Sequence, residues 1–582
     1  MSEEKKVRKV IRRGGDTVVL KSSLAGSSIE PQAEEIKGGK IKVIPLSGMS
    51  KEGSCLFVVE FEEEIIVVDG GFNYIKNETF ESLASKVDLS YLLKNRNKVK
   101  AILLTHGHED QLETIIQIVK QINIPVIYGP PFAVKLLSDK FVLSQISKKI
   151  PMTVIKPRQI FRVGSTVITY FRNNHSLPDS YSILLHTPVG KIIYTGDFKF
   201  DFTPQDKEFF DFYTLAKAGE DGVLLLISES SNAKQEKFTP SETSLVPNLE
   251  KLFRKTEGKI IVSTFSSHLF RIFQVVETAM KLNKKIIAID DIIFKLLKIS
   301  KEMGYVNYPD SMVCDFHEIT RIKEKDQLIL TTAYQFDEDS PLSRMAYDEH
   351  MYVTIKEEDT VIISAMPSQR NEQSFLEIIN AIKLKRATVY YGSDEKIYVS
   401  GHAGAVEKRM LINMVKPQFF LPCRGDLGYL LRHGKIAQEC GVKKENIFIM
   451  KDGDVLELGN KSGKIRSNVL QKSSGISTPI VLEDDIDTQK ARQKLHDNGL
   501  VSLLVTIKNG VLVGDPVIDF PGVSLKESRD SILSHTKNIV TNKLKKNTDV
   551  NILSSEIESD LASLFKDSLD REPLIQVMVL RS

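Results

Sequence analysis

The sequence is poor in cysteine and has no obvious way of pairing the few it holds. Cys55, Cys314, Cys423 and Cys440 are the only four in 582 residues, and no two form a C-x-x-C pair. That spacing excludes a disulfide framework and a cysteine zinc site, and it fits a reducing compartment. No apolar run approaches the length of a membrane span, and the N-terminus lacks a signal-peptide core. The expectation is therefore a cytoplasmic protein without a membrane partner. Internal repeats and low-complexity tracts are absent as well. Net charge is small: 79 Lys and Arg oppose 76 Asp and Glu, a formal +3. Such a balance allows an anionic partner without demanding one, so local sites must carry any nucleic-acid argument. The hydrophobic share of 41% and charged share of 27% are ordinary for a soluble protein. At this length one hydrophobic core is not enough, and several domains are expected.

Residues 1–40 read as a flexible basic tail, with Lys5, Lys6, Arg8, Lys9, Arg12 and Arg13 clustered together. From Lys40 the pattern turns to short apolar strands, Ile41–Pro45, Cys55–Phe61 and Ile65–Asp69, which suggest an antiparallel meander. Asp69, at a strand end before Gly70-Gly71, could orient a ligand-bearing loop or simply satisfy turn amides. Between about 238 and 360 helices and strands alternate, which predicts a separate, inserted α/β domain. The Ser-, Lys- and Gly-rich stretch 459–477 is the expected linker. Beyond it, 478–582 reads as a small α+β association domain. Its signals are a hairpin turn at Asn509-Gly510, two helices opened by capping boxes (Ser524 with Glu527, Ser555 with Glu558) and a closing strand, Leu574–Leu580.

The stretch Ala101–Gln111, A-I-L-L-T-H-G-H-E-D-Q, organises the rest. A short apolar strand ends in a turn that offers His106, His108 and Asp110, and Gly107 between the imidazoles lets the backbone fold tightly. Two further strands deliver His175 and Asp197 at their ends. Three histidines and a carboxylate in one structural role suit a zinc-class ion.

These motifs together resemble ribonuclease J, the metallo-β-lactamase-fold nucleases with an inserted β-CASP domain. The resemblance rests on Thr105-His106-Gly107-His108-Glu109-Asp110, Asn174-His175-Ser176, the seven residues Thr195 to Asp201, Ser400-Gly401-His402-Ala403 and Arg571-Glu572-Pro573. It implies a mixed α/β and α+β chain. A metallo-β-lactamase αββα sandwich would occupy 41–237 and 361–458, the β-CASP domain 238–360, and the small C-terminal domain the remainder after the linker. The family's chemistry is two-metal hydrolysis of RNA phosphodiesters. By this resemblance His106, His108, His175 and Asp197 hold the first ion. By the same resemblance His402 matches the histidine that sits near the scissile phosphate and can protonate the leaving oxygen. Ser266, Ser267 and His268, with Tyr398, Val399, Ser400, Gly401 and His402, match nucleotide-phosphate contacts. His268 stands where the family usually has Asn, and Tyr398 where it usually has His.

The second ion's ligands in the family correspond to Asp110, Asp197 and two histidines, and here the histidines are replaced by Gln111 and Arg424. An amide oxygen is a weak ligand and a guanidinium is none. Ser47, Lys51 and Asp426 are smaller departures. One zinc ion is therefore expected, with manganese or magnesium as alternatives, and the guanidinium is expected to replace the second ion's charge without its chemistry.

Two functions follow. The first is an attenuated 5′-to-3′ exoribonuclease, with an endonucleolytic mode as a variant, acting on single-stranded RNA in rRNA maturation or mRNA decay. The second is an inactive paralogue that binds RNA and supports an active ribonuclease J. Assembly is expected as a homo-oligomer or as a hetero-oligomer with that paralogue. A small-molecule metallo-hydrolase shares the fold core but lacks the inserted and C-terminal domains.

Overall fold

The computed structural model describes residues 39–49, 53–72, 74–77, 80–84, 87–332, 340–367, 371–392, 395–466, 468–470, 494–495, 498–523, 529–545, 549–569 and 572–581. Residues 1–38 of the basic tail, the Ser524–Glu527 box, Lys51 and Arg571 lie outside them. The chain divides into two compact units, one of residues 1–74 and 86–475 and one of 75–85 and 476–582.

The first unit is built on two facing sheets. One has eight strands, in the order Gly463–Arg466, Val455–Leu458, Ile41–Ser47, Leu56–Phe61, Glu64–Val68, Val99–Leu103, Ile127–Gly129, Met152–Val154. The other has six: Phe419–Cys423, Leu225–Glu229, Gly190–Tyr194, Tyr181–Thr187, Thr166–Arg172, Ile160–Val163. Their inner faces interdigitate through Phe57, Val59, Leu103, Tyr170, Ile183, Ile192, Ile227 and Leu421, all buried in one core. Strands such as Leu56–Phe61 are buried at every position, because helices cover the outer faces as well. Glu109–Gln121 and Pro131–Leu143 flank the first sheet, and Phe212–Glu220, Ala405–Val415 and Leu427–Glu439 flank the second. This is the expected αββα sandwich. The stretch read as linker instead contributes a strand, since Gly463–Arg466 pairs antiparallel with Val455–Leu458 at the sheet edge. Its polar residues tolerate that edge because one face stays in water.

The inserted domain is a six-stranded parallel sheet ordered Val313–Asp315, Lys285–Ala288, Gln327–Thr332, Ile260–Thr264, Thr360–Ser364, Thr388–Tyr391. Helices pack on both faces: Val246–Lys255, Leu269–Lys281 and Asp291–Glu302 on one, Pro341–Ala346 and Glu372–Leu384 on the other. The boundary expected at 360 is corrected here. Thr360–Ser364 pairs in parallel with Ile260–Thr264, and Thr388–Tyr391 extends the same sheet. Hydrophobic pattern marks a buried strand but not the sheet it joins.

In the second unit, Leu500–Lys508 is central. It pairs antiparallel with Val511–Leu512 across the expected Asn509-Gly510 turn and with Val517–Asp519, and parallel with Leu574–Arg581. Helices Arg529–Leu544 and Val550–Leu569 supply the rest of its core. The second capping box is not formed. Ser555 and Glu558 lie inside a helix that begins at Val550, where Asp549 Oδ1 accepts from the Ile552 amide at 3.3 Å. Glu558 instead accepts the Val577 amide at 3.1 Å.

Candidate metal centre

Strand ends of the sandwich assemble the site. Glu64–Val68 runs into Asp69, whose buried carboxylate accepts both the amide and the hydroxyl of Thr105 at 2.8 Å each. Burial pushes the Asp69 carboxyl up to about 7. Because Thr105 Oγ1 gives its proton to Asp69, it can only accept from His106 Nδ1, 2.9 Å away. His106 Nε2 is left bare. Asp69 therefore holds the Thr105 hydroxyl that faces His106 as well as a turn amide.

Next, Gly107 allows a close approach that no other residue could make, since a Cβ there would lie 2.7 Å from the Phe132 ring. His108 then sits at the N-cap of the helix Glu109–Gln121. Its Nε2 lies 3.1 Å from the Ser267 carbonyl, a partner that can only accept, so Nδ1 is the bare nitrogen. His175 gives its Nδ1 proton to the Gly401 carbonyl at 2.7 Å, which leaves Nε2 bare. Backbone carbonyls and a held hydroxyl therefore fix all three tautomers.

The bare atoms converge. His106 Nε2 and His175 Nε2 lie 3.1 and 3.3 Å from His108 Nδ1, and Asp197 Oδ2 lies 3.5 and 3.6 Å from the same two Nε2 atoms. Four ligands about 2.0–2.1 Å from a tetrahedral zinc-class ion would be separated by about 3.3–3.4 Å. Burial holds His106 and His175 well below the usual histidine range and brings His108 down to about 4, so the rings are neutral, the form that binds metal. Buried lone pairs facing one another without a proton need a cation, and this donor set fits one. Among the described residues it is the one such group of metal-ligating side chains.

The second place is different. Arg424, in a left-handed backbone conformation (φ 56°), puts Nη1 3.2 Å from Asp197 Oδ2 and Nη2 3.6 Å from Asp110 Oδ2. Nη1 also donates to Ser54 Oγ at 2.8 Å, and Ser54 in turn donates to Asp110. Gln111 is fully buried; oriented by its surroundings, its amide NH2 donates to the Cys55 carbonyl and its oxygen accepts from Arg424 Nη1, 3.3 Å each. The cation keeps Asp110 below the ordinary carboxylate range against burial, whereas burial still lifts Asp197 to about 6. A second metal does not fit a place already holding a guanidinium.

Beside the centre, the His402 ring lies 4.9 Å from that of His175, centroid to centroid. Its Nδ1 is 3.4 Å from Glu229 Oε1. Glu229, which the sequence reading did not single out, ends the buried strand Leu225–Glu229 and also faces Lys408 Nζ at 3.5 Å. Burial alone would raise its pKa, but Lys408 and His402 hold it down to about 2. Its signal was available: another apolar strand ending in an acid.

The expected phosphate contacts gather nearby. Ser266 and Ser267 form the turn ahead of the 13-residue helix Leu269–Lys281, with His268 at its N-cap. Ser400 Oγ accepts from the His402 amide at 3.1 Å and from Asn232 Nδ2 at 2.8 Å. The His268 and Tyr398 ring centroids lie 6.4 Å apart with the planes tilted by 58°, and burial brings His268 down to about 3, leaving it neutral.

Two facing sheets flanked by helices, a histidine–carboxylate centre at their strand ends and an inserted parallel α/β domain define a metallo-β-lactamase-fold protein carrying a β-CASP domain. Comparison with known proteins agrees domain by domain. Residues 52–237 match the metallo-beta-lactamase superfamily, 257–382 the ribonuclease J beta-CASP domain and 489–582 the ribonuclease J C-terminal domain. The chain is 33% identical over 554 residues to ribonuclease J of Synechocystis sp., covering 93% of this chain and 86% of that one. It is 34% identical over 523 residues to ribonuclease J of Helicobacter pylori, covering 86% and 76%. Ribonuclease J2 of Bacillus subtilis is 29% identical over 554 residues, covering 93% and 98%. The chain belongs to the ribonuclease J family.

Proposed function

We propose that the protein is an RNA phosphodiesterase that grips single-stranded RNA well and cleaves it slowly, in rRNA maturation or mRNA decay in the cytoplasm. One observation carries the attenuation: the Arg424 guanidinium, 3.2 Å from Asp197 and 3.6 Å from Asp110. It neutralises both carboxylates, but it cannot activate a water or follow developing charge as a metal does. The single ion, when bound by His106, His108, His175 and Asp197, supplies Lewis acidity toward a phosphate oxygen. The Ser266–Ser267 turn and the loop 398–402 hold the phosphate through amides and hydroxyls. His402, oriented by Glu229, gives a proton to the leaving oxygen.

The metal count tests the reading directly. Elemental analysis after dialysis against a mild chelator is expected to give one zinc per chain, or one manganese or magnesium; two would refute the guanidinium's role. RNA affinity is expected to persist and to weaken as salt rises, since phosphate contacts release counterions.

A second reading, a non-catalytic subunit of an active ribonuclease J, is favoured by the same Arg424. We assign assembly, with itself or with that paralogue, to the C-terminal unit, which holds its own core and, among its described residues, no metal-ligating group. Removing residues after about 478 is expected to yield a monomer by light scattering, and an unchanged mass would refute this.

A further inference from the structure

We propose that Arg271, in the inserted domain, is a positioning residue for the metal ligand His175 and for His402, acting through the loop 397–402. This rests on the metal-centre reading above. Arg271 is 0% exposed, in a place where a charge is costly unless every donor is used. Each of its three nitrogens has a partner. Nε donates to Glu242 Oε1 at 2.5 Å, and Nη1 to the Ser364 and Ile397 carbonyls at 3.3 and 3.2 Å and to Ser364 Oγ. Nη2 donates to the Val399 carbonyl at 3.2 Å. The Tyr398 ring, between those two carbonyls, lies 5.6 Å from the guanidinium carbon.

The loop continues straight into the centre. Two residues beyond Val399, the Gly401 carbonyl takes the Nδ1 proton of His175 at 2.7 Å. A Cβ on Gly401 would lie 3.2 Å from the His175 ring, so the backbone itself is laid against the ligand. The His402 carbonyl is then held by Thr239 Oγ1 at 2.9 Å and Asn232 Nδ2 at 3.1 Å. Carbonyls 397, 399, 401 and 402 are all fixed; the first is shared between the guanidinium and the Ser364 hydroxyl, and the second rests on the guanidinium. Lysine carries one point charge and could not span carbonyls on two segments while keeping Glu242. A loosened loop would let the Gly401 carbonyl drift, and His175 would lose the partner that sets its tautomer and aim.

The test measures zinc affinity of the full-length protein by competition with a chromogenic chelator, together with the visible spectrum of the cobalt(II) form. Arg271→Lys is expected to weaken zinc binding about tenfold or more, the usual scale for losing the support of a metal ligand, and to change the cobalt bands. Val275→Ala, a buried truncation on the same helix, is expected to lower the melting temperature while leaving both readouts unchanged. Ser364→Ala, a milder cut at the same junction, should weaken zinc severalfold and serves if Arg271→Lys does not fold. Wild-type zinc affinity in Arg271→Lys, or an equal loss in Val275→Ala, would overturn the proposal. A wild type that binds no zinc would overturn the metal-centre reading and the proposal with it, an outcome separable from the other two.

Discussion

Replacing Gln111 and Arg424 together by histidine is expected to raise RNA turnover about a hundredfold. That is the scale at which one electrostatic stabiliser of a transition state contributes to rate. The backbone at both positions is held independently of the side chains: the Arg424 amide donates to the Gly48 carbonyl at 3.0 Å, and the Gln111 amide to the His108 carbonyl at 3.1 Å. New imidazoles would therefore start from the ligand-bearing places rather than from mobile loops. Gln111→His alone should gain little, because Arg424 still repels a dication. Arg424→His alone removes the repulsion but leaves a ligand missing and two carboxylates unneutralised. The gain of the double variant should exceed the sum of the singles, as for residues acting as a unit. Metal content should rise from one ion to two in parallel. If the unaltered protein already cleaves as fast as the double variant, the guanidinium is no impairment and the attenuation falls.

Glu229→Gln is expected to fail twice over. The substitution keeps the shape but removes the carboxylate 3.4 Å from His402 and 3.5 Å from Lys408, which is itself fully buried. Leaving Lys408 without its counter-charge should cost about 3–5 kcal/mol of stability. Turnover should fall about a hundredfold at unchanged RNA affinity, since His402 loses the group that orients it as a proton donor. Adding Lys408→Met should recover most of the stability and none of the turnover, which separates the two roles. The pH dependence has a definite sign. Glu229 is held at about 2 from an ordinary 4.5, so its contribution is complete above 4.5 and lost as pH falls toward 2. Denaturant titrations across that interval should show a larger loss in the wild type than in Glu229→Gln, where Glu242, also held down to about 2, still titrates. A variant as stable as the wild type at neutral pH would refute the burial argument.

Much of this was legible in the residues themselves. Strand ends carrying His106, His108, His175 and Asp197 could be read from short apolar runs followed by polar turns, because strand periodicity and turn chemistry are local. The alternating elements of the inserted domain and the Asn509-Gly510 hairpin were legible for the same reason. The misreadings share a cause: Thr360–Ser364 and Thr388–Tyr391 look like any buried strands, and only parallel pairing with Ile260–Thr264 and with each other assigns them to the inserted sheet. The 463–466 strand and the interior placement of Ser555 and Glu558 were likewise decided by partners distant in sequence.

By itself the sequence determined which side chains could ligate an ion, and that an amide at Gln111 and a guanidinium at Arg424 are poor at it. Chemistry of that kind belongs to the residue and needs no neighbour. Only the tertiary structure decided what each group does. It gave the His106, His108 and His175 rings their tautomers from Thr105, Ser267 and Gly401. It set Glu229 against His402, and it laid the Arg424 guanidinium between two carboxylates. Tautomer, charge neutralisation and orientation are properties of pairs. In this chain the members of the most important pairs stand as far apart as Ser54 and Arg424, where no local pattern can join them.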